Sequence, residues 1–191
     1  MVGISSVAGG RPVVLDPEST DHHGASWSPD GNWIAYRRLI GGKWELVKRP
    51  LGGGQPVVLE ETSAGGSPTD WSPNGEWICH PRGGFLNLVS PDGKRHRVLN
   101  TEAAAFGFSR NSNSLYALRQ NGINRWELAE MSVAGGEEKT VTLLDIPASA
   151  KVTGFSVHPN GKSFLTSVGI ARYDIWLMEG FPQPRRWFFF R

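Results

Sequence analysis

Residues 25–36 read ASWSPDGNWIAY and residues 69–80 read TDWSPNGEWICH, so one unit recurs with Trp27 and Trp71 set 44 positions apart. Two weaker copies follow, FGFSRNSNSLYAL from Phe106 and TGFSVHPNGKSFLTS from Thr153, the last with one extra residue ahead of its turn. The anchoring aromatics are then Trp27, Trp71, Phe108 and Phe155. A second marker keeps the same step. Turns at Gly9-Gly10, Gly53-Gly54, Asp92-Gly93 and Gly135-Gly136 each lead into a polar, then β-branched run such as RPVVL or QPVVL. A period of about 40–50 residues is the mark of four-stranded propeller blades.

The local chemistry points to strands. Trp33-Ile34-Ala35-Tyr36 and Trp77-Ile78-Cys79-His80 crowd aromatic and β-branched residues into short segments entered through Pro-Asp-Gly or Pro-Asn-Gly. Proline presets the first turn position, Asp or Asn bonds its own backbone, and glycine accepts the left-handed conformation that closes the turn. The third copy has Arg110-Asn111-Ser112-Asn113 with neither Gly nor Pro, which predicts a looser turn. Each unit reads as four short antiparallel strands, in the first case near residues 24–27, 32–37, 44–49 and 55–59. The Trp or Phe ending the first strand and the aromatic entering the second are expected to fill the space between blades, each burying on the order of 150–250 Å².

The chain then divides into a half blade over 4–15 and blades over 22–60, 66–100, 104–145 and 151–190, one all-β domain of about four and a half repeats. The expectation is an open, partial β-propeller, part of a longer protein, with a ring clasped by residues 4–15 as the alternative. Terminal blades without neighbours would expose Val13 and Val14 at one end and Phe164, Trp176 or Phe181 at the other, driving association through those faces.

Composition narrows the function. With 24 Gly and 13 Pro among 191 residues the chain is turn-rich, and 39% hydrophobic residues supply a core. A net charge of +2 with both signs scattered gives no footprint for a phosphate backbone, so nucleic acid is not expected as a partner. No apolar run reaches the roughly 18 residues of a membrane span, and the start of the chain lacks the pattern of a signal peptide. Arg185-Arg186-Trp187-Phe188-Phe189-Phe190-Arg191 reads as a final strand on the last blade.

No catalytic constellation emerges. Gly65-Gly66-Ser67-Pro68-Thr69 and Gly24-Ala25-Ser26-Trp27-Ser28 lack the closing glycine of a serine-hydrolase elbow. Cys79 and His80 are neighbours on a strand and point to opposite faces, and Cys79 replaces Ala35 of the previous repeat, which marks it as buried filler. His22-His23, read as preceding the first strand of a blade, are the only candidates for ligand contact, against a solvated loop as the plainer reading. Two adjacent histidines make no zinc site, and His96 and His158 read as turn residues without partners. Gly52-Gly53-Gly54 precedes a strand and lacks the Lys-Ser/Thr of a phosphate loop. Asp30, Asn74, Asp92 and Asn160 each stand singly in turns, too few oxygens for calcium. Neither metal nor cofactor is expected.

These residues resemble a known family. Trp27 to Gly31, Trp71 to Gly75, Phe155 to Gly161 and the paired-glycine turns are similar to the WD40-like repeat of the TolB type, the PD40 repeat. The resemblance implies a β-propeller that binds a protein or small ligand without catalysis. Related propellers occur as C-terminal sensor modules of bacterial kinases and regulators, and Asp174-Ile175-Trp176-Leu177-Met178-Glu179-Gly180-Phe181 is similar to the terminal blade of such modules. The expected role is therefore the C-terminal part of a larger bacterial signalling protein. Alternatives are the gating propeller of a prolyl-oligopeptidase-like serine peptidase and a TolB-like periplasmic propeller that binds a partner.

Overall fold

The computed structural model describes residues 2–62, 68–122, 125–158 and 160–170. Among these residues there are sixteen β-strands and no helix. A two-stranded sheet of β1 (Gly3–Ile4) and β2 (Val13–Val14) comes first. Three four-stranded antiparallel sheets follow, each wound in chain order. They are β3 (Asp21–Trp27) to β6 (Val57–Thr62), β7 (Asp70–Trp71) to β10 (His96–Leu99), and β11 (Ala105–Phe108) to β14 (Lys139–Leu144). The intervening strands are β4 (Trp33–Ile40), β5 (Lys43–Pro50), β8 (Ile78–Arg82), β9 (Phe85–Val89), β12 (Ser114–Gln120) and β13 (Trp126–Ser132). β15 (Lys151–Val157) and β16 (Phe164–Gly169) form the last hairpin. First strands of successive sheets lie side by side, β3 with β7, β7 with β11 and β11 with β15, which is the arrangement of blades around a propeller axis. The segments Asp174–Phe181 and Arg185–Arg191 lie outside the described residues.

One turn chemistry is reused. Ser28 N–H donates to Trp33 O, and Trp33 N–H donates back to Ser28 Oγ, both at 2.9 Å. Asp30 Oδ1 accepts from Asn32 N–H at 3.0 Å. Ser72 and Asn74 repeat these bonds, and so do Ser90 and Asp92 in the turn from β9 to β10. The looser turn expected at Arg110–Asn113 is not found. Ser109 N–H donates to Ser114 O at 2.8 Å, Ser114 N–H to Ser109 Oγ at 3.0 Å, and Asn113 N–H to Asn111 Oδ1 at 3.1 Å. Ser112 takes the glycine position with φ of +61°, so the box of side-chain bonds holds the geometry even without Gly or Pro.

Four apolar clusters fill the junctions between blades. Val2 and Leu15, flanking the first sheet, meet Ile34, Tyr36 and Val47 of the second. Ala35, Leu46 and Leu59 meet Trp71, Ile78 and Val89. Trp77, Cys79 and Leu88 meet Phe106, Phe108 and Leu115. Leu118, Trp126 and Leu128 meet Val152, with Phe155 and Phe164 at the edge. Alternate residues of each middle strand thus serve two different junctions, as the period of two requires.

Two aromatic assignments change. Trp71 and Phe108 are buried, but Trp27 is 53% exposed and is not inter-blade filler. Trp71 and Phe108 pack against the blade before their own, whereas the sheet before Trp27 has only β1 and β2 to offer. In the last hairpin Val157, not Phe155, holds the position of Trp27, because Val157 pairs with Phe164 just as Trp27 pairs with Ile34. The bulge at Gly154, φ +75°, repeats that at Gly24, φ +60°, and Phe155 beside it lies against Gly107, where an added Cβ would stand 2.9 Å from Phe155 Cδ1. As expected for unpartnered blades, Val13 and Val14 are exposed at 64% and 40%. At the other end Phe164 is partly buried and Leu165 is exposed instead.

Candidate functional site

Buried polar residues occur in the serine turns and at the blade junctions, and those at the junctions follow the repeat. Asp16 directly follows Leu15, and Glu60 directly follows Leu59, at the outer edge of their blades. Each meets two side chains of the next blade, standing eight and ten residues past its turn serine. Asp16 Oδ2 accepts from Tyr36 Oη at 2.9 Å and from Arg38 Nη1 at 3.2 Å. Glu60 Oε1 contacts His80 Nε2, and Glu60 Oε2 accepts from Arg82 Nη1 at 2.9 Å. The third junction keeps the arginine: Arg119 Nη1 donates to Thr101 Oγ1, and Glu127 accepts from Arg119 Nε at 2.9 Å. Each of the three four-stranded blades is thereby latched to its predecessor.

Electrostatics follow from this pairing. Burial alone would raise the Asp16 carboxyl, but the bonds from Tyr36 and Arg38, together with the Arg38 charge, outweigh it and hold the acid below its usual range. Glu60 behaves alike, with burial opposed by His80, Arg82 and His96. Arg37 is fully buried beside this latch, where desolvation pulls its pKa down against the Glu60 charge, and its Nη2 donates to Thr62 Oγ1 at 3.0 Å.

The histidines fall differently from their sequence reading. His22 and His23 lie within β3 rather than ahead of it. The His22 side chain is only 3% exposed, 3.9 Å from Asp16 Oδ2, and burial lowers its pKa. His23 is partly exposed, with Nε2 3.2 Å from Asp21 Oδ2 and its ring 5.3 Å from that of Trp44. His96 opens β10 instead of sitting in the turn. Its Nε2 contacts Gly93 O at 3.0 Å and its Nδ1 lies 3.4 Å from Glu60. His158 is a turn residue, as read, and its Nδ1 accepts from Asn160 N–H at 3.1 Å. Among the described residues no group of three or more His, Cys, Asp or Glu is placed to hold a metal ion.

Cys79 and His80 do point to opposite faces, Cys79 into the cluster with Phe106 and His80 towards Glu60. Burial, with the Asp70 charge adding to it, pushes the Cys79 thiol well up, so it has no thiolate character at neutral pH. Asp70 pairs across the sheet with Cys79, and its Oδ2 accepts from Phe108 N–H of the next blade at 2.9 Å. Burial raises its pKa to about 6, against the partial relief of the Phe108 and Trp71 amides. Asp70 and Glu60 escape a motif search because each acts on a blade other than its own. The recurring Leu-acid pair followed 22 residues later by arginine, as in Asp16 to Arg38 and Glu60 to Arg82, is a signal that finds Glu60, but nothing in that pattern marks Asp70.

Wound sheets set side by side by their first strands define a β-propeller arc, and comparison with solved structures agrees. The chain is similar to TolB from Acinetobacter baumannii, with a TM-score of 0.67 and 15% identity over 86% of this chain and 42% of that one. A TolB structure from Agrobacterium tumefaciens matches with a TM-score of 0.67 and 17% identity over 86% of this chain and 61% of that one. A chain of the nidogen/laminin complex matches with a TM-score of 0.66 and 11% identity over 84% and 61%. The chain therefore spans about two fifths to three fifths of these propellers. No family model and no curated protein matches it.

Proposed function

We propose that the chain is a non-catalytic propeller module that binds protein, and that it is the C-terminal part of a larger bacterial signalling protein whose further repeats pack against its first complete blade. The exposed Trp27 carries this reading. The next two blades place Trp71 and Phe108 at that position, and both are buried by the preceding blade. The chemistry of the interior supports it too, since Asp16 and Glu60 are neutralised by neighbouring blades and Cys79 is a buried thiol. Light scattering of the chain over a concentration series tests the reading. Self-association that weakens in Trp27→Ser is expected, and a monomer at every concentration overturns it. Turnover of a peptide substrate, abolished by one substitution, would overturn the non-catalytic part. The TolB propellers among its structural neighbours favour a second reading, a TolB-like partner-binding propeller of the periplasm.

A further inference from the structure

The two ends of the blades carry charge in opposite ways. Away from the serine turns, Arg38, Arg82 and Arg119 each hold a carboxylate within 2.9 Å. At the turn end the cations do otherwise. Lys48 Nζ lies 4.3 Å over the ring of Trp33, and Arg95 lies 4.8 Å over that of Trp77, with Arg97 at 5.5 Å from the same ring. No carboxylate of the described residues forms an ion pair with Lys48, Arg49 or Arg95. Of the nearby acids, Asp30 and Asp92 are engaged by their own turns, bonded to Ser28 and Ser90 and to the amides of Asn32 and Lys94. The Arg95 charge also acts on Asp92, and Glu76 borders a cleft beside Trp77 and Arg95.

These Trp and cation pairs line two clefts. One, of about 310 Å³, lies between the first two complete blades, with Trp33, Lys48, Trp71 and Pro91 in its walls. The next, of about 400 Å³, is lined by Trp77, Arg95, Arg97 and Ser132. Asn74 borders both, so the two are neighbours along one face. An aromatic wall favours apolar and ring-bearing groups, and a cation held in no ion pair attracts a carboxylate. A net charge of +2 with both signs scattered gives no footprint for a phosphate backbone, which disfavours a nucleic acid.

We propose that the turn face of this propeller is a docking surface for an acidic peptide segment, its carboxylates meeting Lys48 and Arg95 and its apolar side chains entering the Trp-walled clefts. This rests on the reading of the chain as a protein-binding module and names the chemistry of its partner.

The test uses the full chain and a labelled synthetic peptide of repeating Glu-Glu-Phe, with binding followed by fluorescence anisotropy. Binding that weakens with salt is expected, lowered about tenfold by the double substitution Lys48→Glu and Arg95→Glu. Lys43→Glu, which changes charge at the opposite end in an exposed pair with Glu61, controls for net charge and is expected to leave binding unchanged. A thermal melt and circular dichroism of each variant separate lost binding from lost folding. No binding of the acidic peptide overturns the proposal. So does equal loss in Lys43→Glu, equal binding of a Lys-Lys-Phe peptide, or preference for single-stranded DNA. If the acidic peptide fails while other proteins still bind, the module reading stands and only the acidic docking face is lost.

Discussion

Arg82 Nη1 lies 2.9 Å from Glu60 Oε2 across a blade junction, and one repeat earlier the same step sets Arg38 Nη1 3.2 Å from Asp16 Oδ2. The two arginines are not equal in weight. The Arg82 side chain is 50% exposed, while Glu60 is 8% exposed and also faces the fully buried His80 and Arg37. Removing the acid leaves buried donors without their partner, which costs about 3 kcal/mol, whereas a half-exposed arginine costs less than about 1 kcal/mol. Thermal denaturation is therefore expected to show Glu60→Gln melting well below Arg82→Met. Equal melting temperatures would show that the acid is not the centre of the latch.

Asp70 gives stability a pH dependence of opposite sign to that of the latches. Its carboxyl ionises near 6 in the folded chain against an ordinary 3.8, so below about pH 4 both states hold the proton. Between those values the unfolded chain releases the proton and the folded chain keeps it, so stability falls as pH rises and levels off above about 6. The full effect is on the order of 3 kcal/mol. Asp16 and Glu60, held below their ordinary values, do the reverse, giving stability above those values that is lost as pH falls through the folded ones. They are common to wild type and Asp70→Asn and cancel in the difference. Urea denaturation across pH should find Asp70→Asn more stable near neutrality, with the gain vanishing in acid. A pH-independent difference would mean that Asp70 is not the titrating group.

What was legible in the sequence was local or periodic. Ser28-Pro29-Asp30-Gly31 specifies its turn with bonds made inside one stretch, so the hairpins could be read directly. The strand pattern around Trp33 and Trp77 likewise needs no distant partner. Trp27 could not be placed this way, because its burial depends on which strands the preceding sheet contains. His22 and His23 read as preceding the strand because polar residues at a strand start look like loop. In fact β3 begins at Asp21, and its first residues pair with Leu39, Arg38 and Arg37.

Ser112 occupies with a φ of +61° the turn position that Gly31 and Gly75 hold at +72° and +78°. Its hydroxyl also accepts from Asn74 N–H of the preceding blade at 3.0 Å. Ser112→Gly relieves the backbone and loses that bond, so the two changes oppose. Ser112→Ala loses the bond and keeps the backbone strain, which for a residue with a Cβ is about 1–2 kcal/mol. Chemical denaturation should therefore rank Ser112→Gly above Ser112→Ala by about 1 kcal/mol. The reverse order would show that the left-handed conformation is not strained here.

The last junction has the acid of a latch without its arginine. Asp145 follows Leu144 at the end of β14 as Asp16 follows Leu15, and it is exposed. Counting from the turn, Val152 and Val168 pair as His22 and Arg38 do, so Val168 stands at the arginine position, 43% exposed. Val168→Arg should therefore complete a fourth latch. Because both groups are open to water, the gain is small, about 0.5 kcal/mol. Its origin can still be identified with a double-mutant cycle measured by thermal denaturation at low salt. The gain should disappear when Asp145→Ala is introduced and shrink as salt is added. A gain that survives Asp145→Ala would mean that the new arginine acts through packing on β16 instead of through the latch, and that the repeat does not carry the pairing rule into the final blade.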